Sequence, residues 1–292
     1  MKVLVTGATG QLGQALLSSA PASVAVRGVN RSECDLEQPA QCRDLVASEL
    51  PAVVINAAAY TQVDKAEGER ERAFRINAEG PAALAEALAR SGGRLIQIST
   101  DFVFDGALSS PYSPDAVCKP LNVYGASKLA GERAVLERLG QSAVVLRTAW
   151  VYSGNGSNFV KTMLRLMASR DSVAVVSDQV GSPTWARSLA GAVWAAALRP
   201  TVSGILHWTD AGVASWYDFA VAIQEEALAR GLLGKAVPVL PISAEEYARQ
   251  FPASVPRPSC SVLDLRATKS MLGLQPVHWR TNLRAMLDEL KA

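Results

Sequence analysis

The sequence predicts an α/β protein built on a Rossmann-type, doubly wound parallel sheet, with a smaller C-terminal substrate-binding region. Three observations support this fold class: a glycine turn after the first strand, an alternation of apolar strands with helix-favouring segments, and a proline-punctuated tail. The 292 residues are enough for one large domain or two. We predict a first domain at 1–152, to which 184–204 returns, and a second region mainly within 153–292.

Composition and charge exclude several classes of protein. The net charge is +2 without a run of lysine and arginine, so neither nucleic acid nor an anionic membrane is an expected partner. No apolar run approaches the ~20 residues of a membrane helix, and the apolar start is too short for a signal peptide. The cysteines lack a CxxC pair, so we expect no disulfide framework, no metal site and a cytoplasmic location; they are Cys34, Cys42, Cys118 and Cys260.

A glycine turn follows the first strand. Lys2–Val5 favours a strand, and Gly7, Gly10 and Gly13 lead into a helix-compatible segment at Gln14–Ser19. Gly7 allows a tight turn, Gly10 lets the backbone approach a pyrophosphate, and Gly13 permits close packing of helix on strand. The spacing differs from GxGxxG, but its place after the first strand favours dinucleotide binding over a structural turn. We therefore predict that the first domain binds NAD(P).

The second strand, Val24–Val29, ends just before Arg31. A site that prefers NAD usually has an acidic residue here, on the ribose hydroxyl, whereas an arginine suits the 2′-phosphate of NADP. An ordinary surface arginine is the equal alternative, because Glu33 and Asp35 are near enough to compete for its charge. We predict NADPH as the cofactor, with NADH as a second donor that the site tolerates.

The third and fourth strands end in small and hydroxyl-bearing residues. The third strand breaks into Ala57–Thr61, which leaves room for a flat ligand at the carboxyl edge of the sheet. In the fourth strand, Arg94–Asp101, Ser99 and Thr100 are candidate hydrogen-bond donors to a substrate carbonyl. Asn77, between the two strands, either holds backbone or an active-site water, or is a satisfied polar group between helix and sheet.

Tyr124 and Lys128 lie one turn apart in a helix predicted at Tyr124–Leu139. A neighbouring cation favours the phenolate, so we predict a lowered pKa for Tyr124. Right-handed winding after the fourth strand brings Tyr124 beside Thr100. A hydroxyl, a phenol and a cation around one position suit hydride transfer to a carbonyl, with Tyr124 protonating the developing alkoxide. Taken alone, the pair has a simpler explanation as two neighbours on a solvated helix.

The second half of the chain contains shorter elements. We predict strands at Ala143–Leu146, Val173–Val176 and Ile205–Trp208, and helices at Thr184–Leu198, Ser215–Arg230 and Leu283–Leu290. His207 and His278 are expected to be structural, because carbonyl reduction already has a proton donor.

Several blocks of sequence occur in order across separate elements. They are Val3–Gly7, Asn56–Thr61 with Val63–Glu67, Ser99–Gly106, Tyr124–Lys128, Leu146–Tyr152, Asp178–Thr184 and Arg257–Ser261. Together the blocks resemble the dTDP-4-dehydrorhamnose reductase family, within the extended short-chain dehydrogenase/reductase superfamily. The resemblance covers nearly the whole chain.

The resemblance implies roles for three sets of residues. Catalysis would be carried by Thr100, Tyr124 and Lys128. The cofactor would be bound by Gly7, Gly10, Gln11, Leu12, Arg31, Asp35, Leu36, Ala57, Ala58, Ala59, Tyr124 and Lys128. The sugar nucleotide would be bound by Tyr60, Thr61, Val63, Thr100, Trp150, Asn158, Gln179 and Arg257. Trp150 is equally explained as a core aromatic, because it follows the apolar fifth strand.

The implied activity is NADPH-dependent reduction of the 4-keto group of dTDP-4-dehydro-L-rhamnose to dTDP-L-rhamnose, which supplies polysaccharides such as lipopolysaccharide O-antigen. Residues 153–292 would mainly bind the sugar nucleotide, with Arg257 as a partner for its phosphates, and the protein would be a monomer or homodimer. Phe102 occupies the position where related 4,6-dehydratases have a proton-transferring glutamate, so dehydration is disfavoured. Two alternatives stay open: a reductase or epimerase for another nucleotide-activated keto-sugar, and a non-catalytic regulatory subunit resembling the methionine adenosyltransferase beta subunit.

Overall fold

The computed structural model describes residues 1–291. Its strands are β1 (Lys2–Thr6), β2 (Ala25–Val29), β3 (Val53–Asn56), β4 (Arg94–Thr100), β5 (Ala143–Thr148), β6 (Val151–Tyr152), β7 (Val173–Val176), β8 (Val180–Gly181), β9 (Thr184–Trp185), β10 (Gly204–His207), β11 (Ala214–Ser215) and β12 (Val239–Ile242). Its helices are α1 (Gln11–Ser18), α2 (Pro39–Glu49), α3 (Arg70–Phe74), α4 (Gly80–Ser91), α5 (Val123–Leu139), α6 (Phe159–Ser169), α7 (Ala186–Ala197), α8 (Trp216–Ala229), α9 (Ala244–Gln250), α10 (Arg266–Leu272) and α11 (Trp279–Lys291).

Six strands form one parallel sheet in the order β10-β5-β4-β3-β1-β2. The chain starts at β1, runs out to β2, and then returns through β3, β4 and β5 to β10. This reversal opens a crevice at the carboxyl ends of β1 and β3. Every residue of β3 and β5 is buried, as expected for parallel strands covered on both faces. The predicted doubly wound Rossmann-type sheet is confirmed.

Alternate side chains of β1 enter hydrophobic cores on opposite faces of the sheet. Val3 and Val5 pack on the face covered by α1 and α7, and Leu4 packs on the face covered by α2, α4 and α5. The indole of Trp194 in α7 donates to the carbonyl of Leu16 in α1 over 3.1 Å. Helix α7 therefore lies on the large sheet, and β10 after it joins that sheet. The division of the chain near residue 152 stays a prediction.

The C-terminal region has a hydrophobic core of its own. Helices α6, α8 and α11 bury Met163, Phe219 and Leu283 together with Val173 and Val175 of β7. Fully burying one such side chain contributes about 1.5–3 kcal/mol. Three two-stranded pairs frame this core, namely β7 with β12, β6 with β9, and β8 with β11. This support fixes the segments that face the carboxyl edge of the large sheet.

The third strand ends at Asn56, just before the predicted break at Ala57–Thr61, and the Asn56 side chain accepts the N–H of Ala58 over 3.2 Å where the chain turns. Other predicted boundaries differ from those observed. The helix predicted from Thr184 begins at Ala186, because Thr184–Trp185 pairs with β6. The last helix begins at Trp279, ahead of its predicted start. Within residues 1–291, none of the helices combines the length and apolarity needed to cross a membrane.

Candidate active site

A cleft of about 770 Å³ opens at the carboxyl edge of β1, β3, β4 and β5. Most of the predicted site residues line it: Gly7, Gly10, Gln11, Leu12, Arg31, Asp35, Leu36, Ala57, Ala58, Ala59, Thr61, Val63, Thr100, Tyr124, Lys128, Trp150 and Arg257. Tyr60, Asn158 and Gln179 lie outside its lining, and their place on the sugar side stays a prediction.

The glycine turn forms one end of the cleft. Gly7 has a φ of +69°, and a Cβ at this position would lie 2.8 Å from the backbone nitrogen of Ala58. A Cβ on Gly13 would lie 2.1 Å from the Gly7 carbonyl oxygen, so only glycine lets α1 pack this closely. Gly10 offers α1 no side-chain cap, which leaves the first N–H groups of the helix for a ligand. These residues fit the pyrophosphate of a dinucleotide.

Arg31 lies beside this end of the cleft and is already paired. Its Nε donates to Asp35 over 3.1 Å and its Nη2 to Glu37 over 2.8 Å, while its side chain is 62% exposed. Glu33, expected to compete, pairs with Arg27 instead. Because exposed ion pairs contribute little to stability, Arg31 can exchange a carboxylate for a phosphate at small cost.

Thr100, Tyr124 and Lys128 meet at the other end of the cleft. The Thr100 hydroxyl donates to Asp101 over 3.0 Å, and Thr100, Tyr124 and Lys128 all line the same cleft. The Lys128 ammonium donates to the Ile98 carbonyl over 2.7 Å. Asn122 caps α5 by accepting the N–H of Gly125, which fixes the turn that carries Tyr124. The predicted group of hydroxyl, phenol and cation is thus assembled.

The predicted lowering of the Tyr124 pKa is wrong. Burial raises the pKa of Tyr124 to about 12, the nearby charge of Asp101 adds to the rise, and the Thr100 hydrogen bond opposes it. Burial also lowers the pKa of Lys128 to about 8, and the charge of Glu132 opposes that change. The sequence pattern overlooked desolvation, and Lys128 is not among the groups that shift the pKa of Tyr124. A raised pKa keeps the phenol protonated, as a proton donor must be.

A buried ion pair lies beneath this end, and we call Glu132, Arg147 and Ser99 the floor. Arg147 donates to Glu132 through Nη2 over 2.7 Å and Nε over 2.9 Å, and both side chains are 2% exposed. The Ser99 hydroxyl donates to Glu132 and so ties β4 to the ion pair, while Ser99 also lines the cleft; its predicted role as a donor to substrate stays a prediction. Sequence reasoning missed this pair, although Glu132 lies one turn after Lys128.

A second ion pair borders the opening of the cleft, and we call Arg257 and Asp64 the rim. Arg257 Nη2 donates to both carboxylate oxygens of Asp64, over 3.0 and 2.9 Å. Asp64 also accepts the backbone N–H of Val255 over 3.0 Å. Asp64 falls within the Val63–Glu67 block but was not singled out in the sequence.

The other predicted polar residues have local partners. Asn77 binds the backbone N–H and carbonyl of Tyr60 over 2.9 and 3.0 Å, so it holds backbone, one of its predicted roles. The Tyr60 side chain itself is buried. Asn158 caps α6 by accepting the N–H of Lys161 and donates to Gln11 over 3.0 Å. These contacts join α6 to the glycine turn. Burial lowers the pKa of His207 to about 3, and the charge of the neighbouring Arg147 adds to the fall.

A doubly wound sheet, a glycine turn at β1 and a Thr, Tyr and Lys group at the end of β4 define a nucleotide-dependent oxidoreductase of the short-chain dehydrogenase/reductase class. The model of the family described as RmlD substrate binding domain matches residues 1–292. The chain belongs to this family, and the predicted family resemblance is confirmed.

Three individual relatives resemble this chain over almost its whole length. A dTDP-4-dehydrorhamnose reductase of Burkholderia thailandensis is 43% identical, with 96% of each chain covered. A probable dTDP-4,6-dihydroxy-2-methyloxan-3-one 4-ketoreductase of Streptomyces antibioticus is 40% identical, covering 100% of this chain and 96% of the relative. The crystal structure of a dTDP-4-dehydrorhamnose reductase from Bacillus anthracis in complex with NADP superposes with a TM-score of 0.91, at 35% identity and 99% coverage of both chains.

Proposed function

We propose that this protein reduces the 4-keto group of dTDP-4-dehydro-L-rhamnose to dTDP-L-rhamnose with NADPH. The observation that carries the proposal is the protonated Tyr124 phenol, which lines the same cleft as Thr100, Lys128 and the glycine turn. The B. thailandensis relative is named as a reductase of dTDP-4-dehydrorhamnose, and the B. anthracis relative was crystallised in complex with NADP. The product would supply polysaccharide synthesis.

NADPH, when bound, would supply a hydride to C4 of the sugar and leave as NADP⁺. Thr100 and Tyr124 would bind the carbonyl oxygen O4 beforehand, and Tyr124 would transfer its phenolic proton to that oxygen as the negative charge develops. The C4–H and O4–H bonds form while the carbonyl π bond breaks, which leaves a tyrosinate. The Lys128 ammonium stabilises this tyrosinate until Tyr124 takes up a proton from water. Proton transfer by a positioned group contributes about 10²–10⁴-fold to rate.

The two ends of the cleft would bind different ligands, NADPH at one end and the sugar nucleotide at the other. Gly7, Gly10 and the start of α1 would hold the pyrophosphate of NADPH, and Arg31 the 2′-phosphate. Arg257 at the rim would bind the diphosphate of the sugar nucleotide. Phe102 packs edge-on against Tyr124 with ring centroids 5.5 Å apart, where it cannot transfer a proton, so dehydration is disfavoured.

A second candidate is 4-keto reduction of a different dTDP-sugar, favoured by the identity to the S. antibioticus ketoreductase. Substrate profiling with several dTDP-4-keto-sugars separates the two. A cytoplasmic location and a monomeric or homodimeric state stay predictions.

The test follows NADPH absorbance after enzymatically prepared dTDP-4-dehydro-L-rhamnose is added to purified protein. Wild type should oxidise NADPH, and Tyr124→Phe should lower kcat by about 10²–10⁴-fold, because the ring stays while the proton is lost. NADPH binding by calorimetry should be unchanged in the variant. Full activity of Tyr124→Phe would refute the proposed acid. No oxidation by wild type that binds NADPH would favour the other sugars or a regulatory subunit.

A further inference from the structure

Trp150 has an uncommon backbone conformation for a bulky residue. Its φ is +47°, in the left-handed region that residues with a Cβ rarely adopt. Among residues 1–291 the other non-glycine residue with positive φ is Leu50, at the exposed end of α2. Strain of this kind persists where the surrounding structure imposes it, and it is enriched at functional sites. The surroundings of Trp150 therefore need an explanation.

Trp216 fixes the ring of Trp150. The two indoles stack with centroids 3.5 Å apart and an angle of 7° between their planes. Phe159 packs behind Trp216 at 4.6 Å and restricts its movement. The Trp150 carbonyl accepts the N–H of Thr184 over 3.1 Å, so the backbone is held as well as the ring.

Gly181 leaves the space that the Trp150 ring occupies. A Cβ at Gly181 would lie 2.6 Å from Cε2 and 2.7 Å from Nε1 of Trp150. Gly181 in β8 pairs with Ala214 in β11, and Trp216 begins α8 directly after β11. The β8–β11 pair thus joins Gly181 to the start of the helix that carries Trp216.

Trp150 borders the end of the cleft where the carbonyl would be reduced. Thr148, the last residue of β5, is the register partner of Thr100, and Trp150 follows two residues later. Trp150 and Trp216 both line the cleft. An indole is a large, rigid apolar group with a polar N–H, which a sugar ring can contact.

We infer that Trp216 and Gly181 are positioning residues that hold Trp150 as the wall against which the sugar ring of the substrate packs, an inference that rests on the proposed function. The sugar, and not the nucleotide or the cofactor, would lose binding when the stack is disturbed.

The test compares Gly181→Ala with Gly191→Ala. Gly191 lies on the exposed side of α7, and a Cβ there would meet no atom within 4 Å. Circular dichroism reports the stack through the exciton coupling of its two indoles. Calorimetry reports affinity for dTDP-L-rhamnose, dTDP and NADPH separately.

For Gly181→Ala we expect a weakened exciton signal and affinity for dTDP-L-rhamnose lowered by about tenfold, with dTDP and NADPH affinities unchanged. Gly191→Ala should match wild type in all four readouts. Trp216→Leu should behave like Gly181→Ala, and Trp216→Phe should recover most of the affinity because it keeps a flat ring.

Equal affinities of wild type and Gly181→Ala for dTDP-L-rhamnose would overturn the inference, as would an unchanged exciton signal or a parallel loss of dTDP or NADPH binding. The proposed function fails separately, when wild type binds these ligands but does not oxidise NADPH with the keto-sugar.

Discussion

The floor and the rim of the cleft each contain one arginine–carboxylate pair, but the two pairs differ in burial. The side chains of Arg147 and Glu132 on the floor are 2% exposed, whereas Arg257 and Asp64 at the rim are 25% and 43% exposed. Removing one partner of a buried pair leaves an uncompensated charge, but water screens an exposed one. The floor is therefore a fixed support for the catalytic strand, and we expect the rim to be the pair that can exchange its carboxylate for a phosphate.

The largest expected effect is at the floor. Glu132→Gln should lower the free energy of unfolding by about 3–5 kcal/mol, because it leaves the Arg147 cation buried without a counter-charge. Chemical denaturation measures this change. Glu137→Gln is the matched control on the same helix, with a side chain 82% exposed, and should stay within about 0.5 kcal/mol of wild type. Similar losses of unfolding free energy in both variants would show that burial does not distinguish Glu132 from Glu137.

The rim should affect ligand binding more than stability. Arg257→Gln should weaken dTDP-L-rhamnose binding by about 1.5–3 kcal/mol, roughly tenfold to a hundredfold, because charged hydrogen bonds to phosphate are lost. Calorimetry should show unchanged NADPH affinity. Arg31→Gln is the reciprocal control and should weaken NADPH but not dTDP-L-rhamnose. Equal weakening of both ligands by Arg257→Gln would contradict its place on the sugar side.

The floor should also set a pH limit on catalysis. Burial lowers the pKa of Lys128 to about 8, so kcat/KM should fall by about tenfold per pH unit above that value as the ammonium is lost. Glu132 favours the ammonium, so Glu132→Gln should move this limb to lower pH. A rate profile that stays flat to pH 10, about two units higher, would show that the Lys128 charge is not needed.

The same pKa shift predicts a change of stability with pH. The folded-state pKa of Lys128 lies below its ordinary value of 10.5, so the unfolded chain binds more protons between about pH 8 and 10.5. The cost of burying Lys128 is present in full below this window and diminishes as the pH rises through it. Lys128→Met should remove this contribution, as measured by denaturation at several pH values.

The smallest effect is expected from Asp64→Asn. An exposed ion pair contributes about 0–1 kcal/mol, so the free energy of unfolding should change by less than about 1 kcal/mol. Paired denaturation curves of Asp64→Asn and Glu132→Gln then measure the contrast between rim and floor directly. A loss at Asp64 as large as that at Glu132 would show that the rim is structural too.

Features set by neighbouring residues were predicted well. The glycine turn, the small residues after β3 and the helical spacing of Tyr124 and Lys128 all depend on short stretches of chain, and the structure places each at the cleft. Alternating apolar strands and helices were enough to predict a parallel sheet, because buried parallel strands require apolar residues on both faces. The ordered blocks predicted the family.

Contacts between distant segments were not predictable in this way. Arg257 and Asp64 are separated by 193 positions in the chain. Trp150 stacks on Trp216, and the short strands β8 and β11 beside this stack were not predicted from the sequence. The Ser99 hydroxyl donates to Glu132, and the pKa of Tyr124 is raised where a lowered value was predicted. The sequence by itself determined which chemical groups the chain brings to the sheet edge. Only the tertiary structure decided their partners and charge states, because burial and hydrogen bonding across elements control both and depend on the packing of the whole chain.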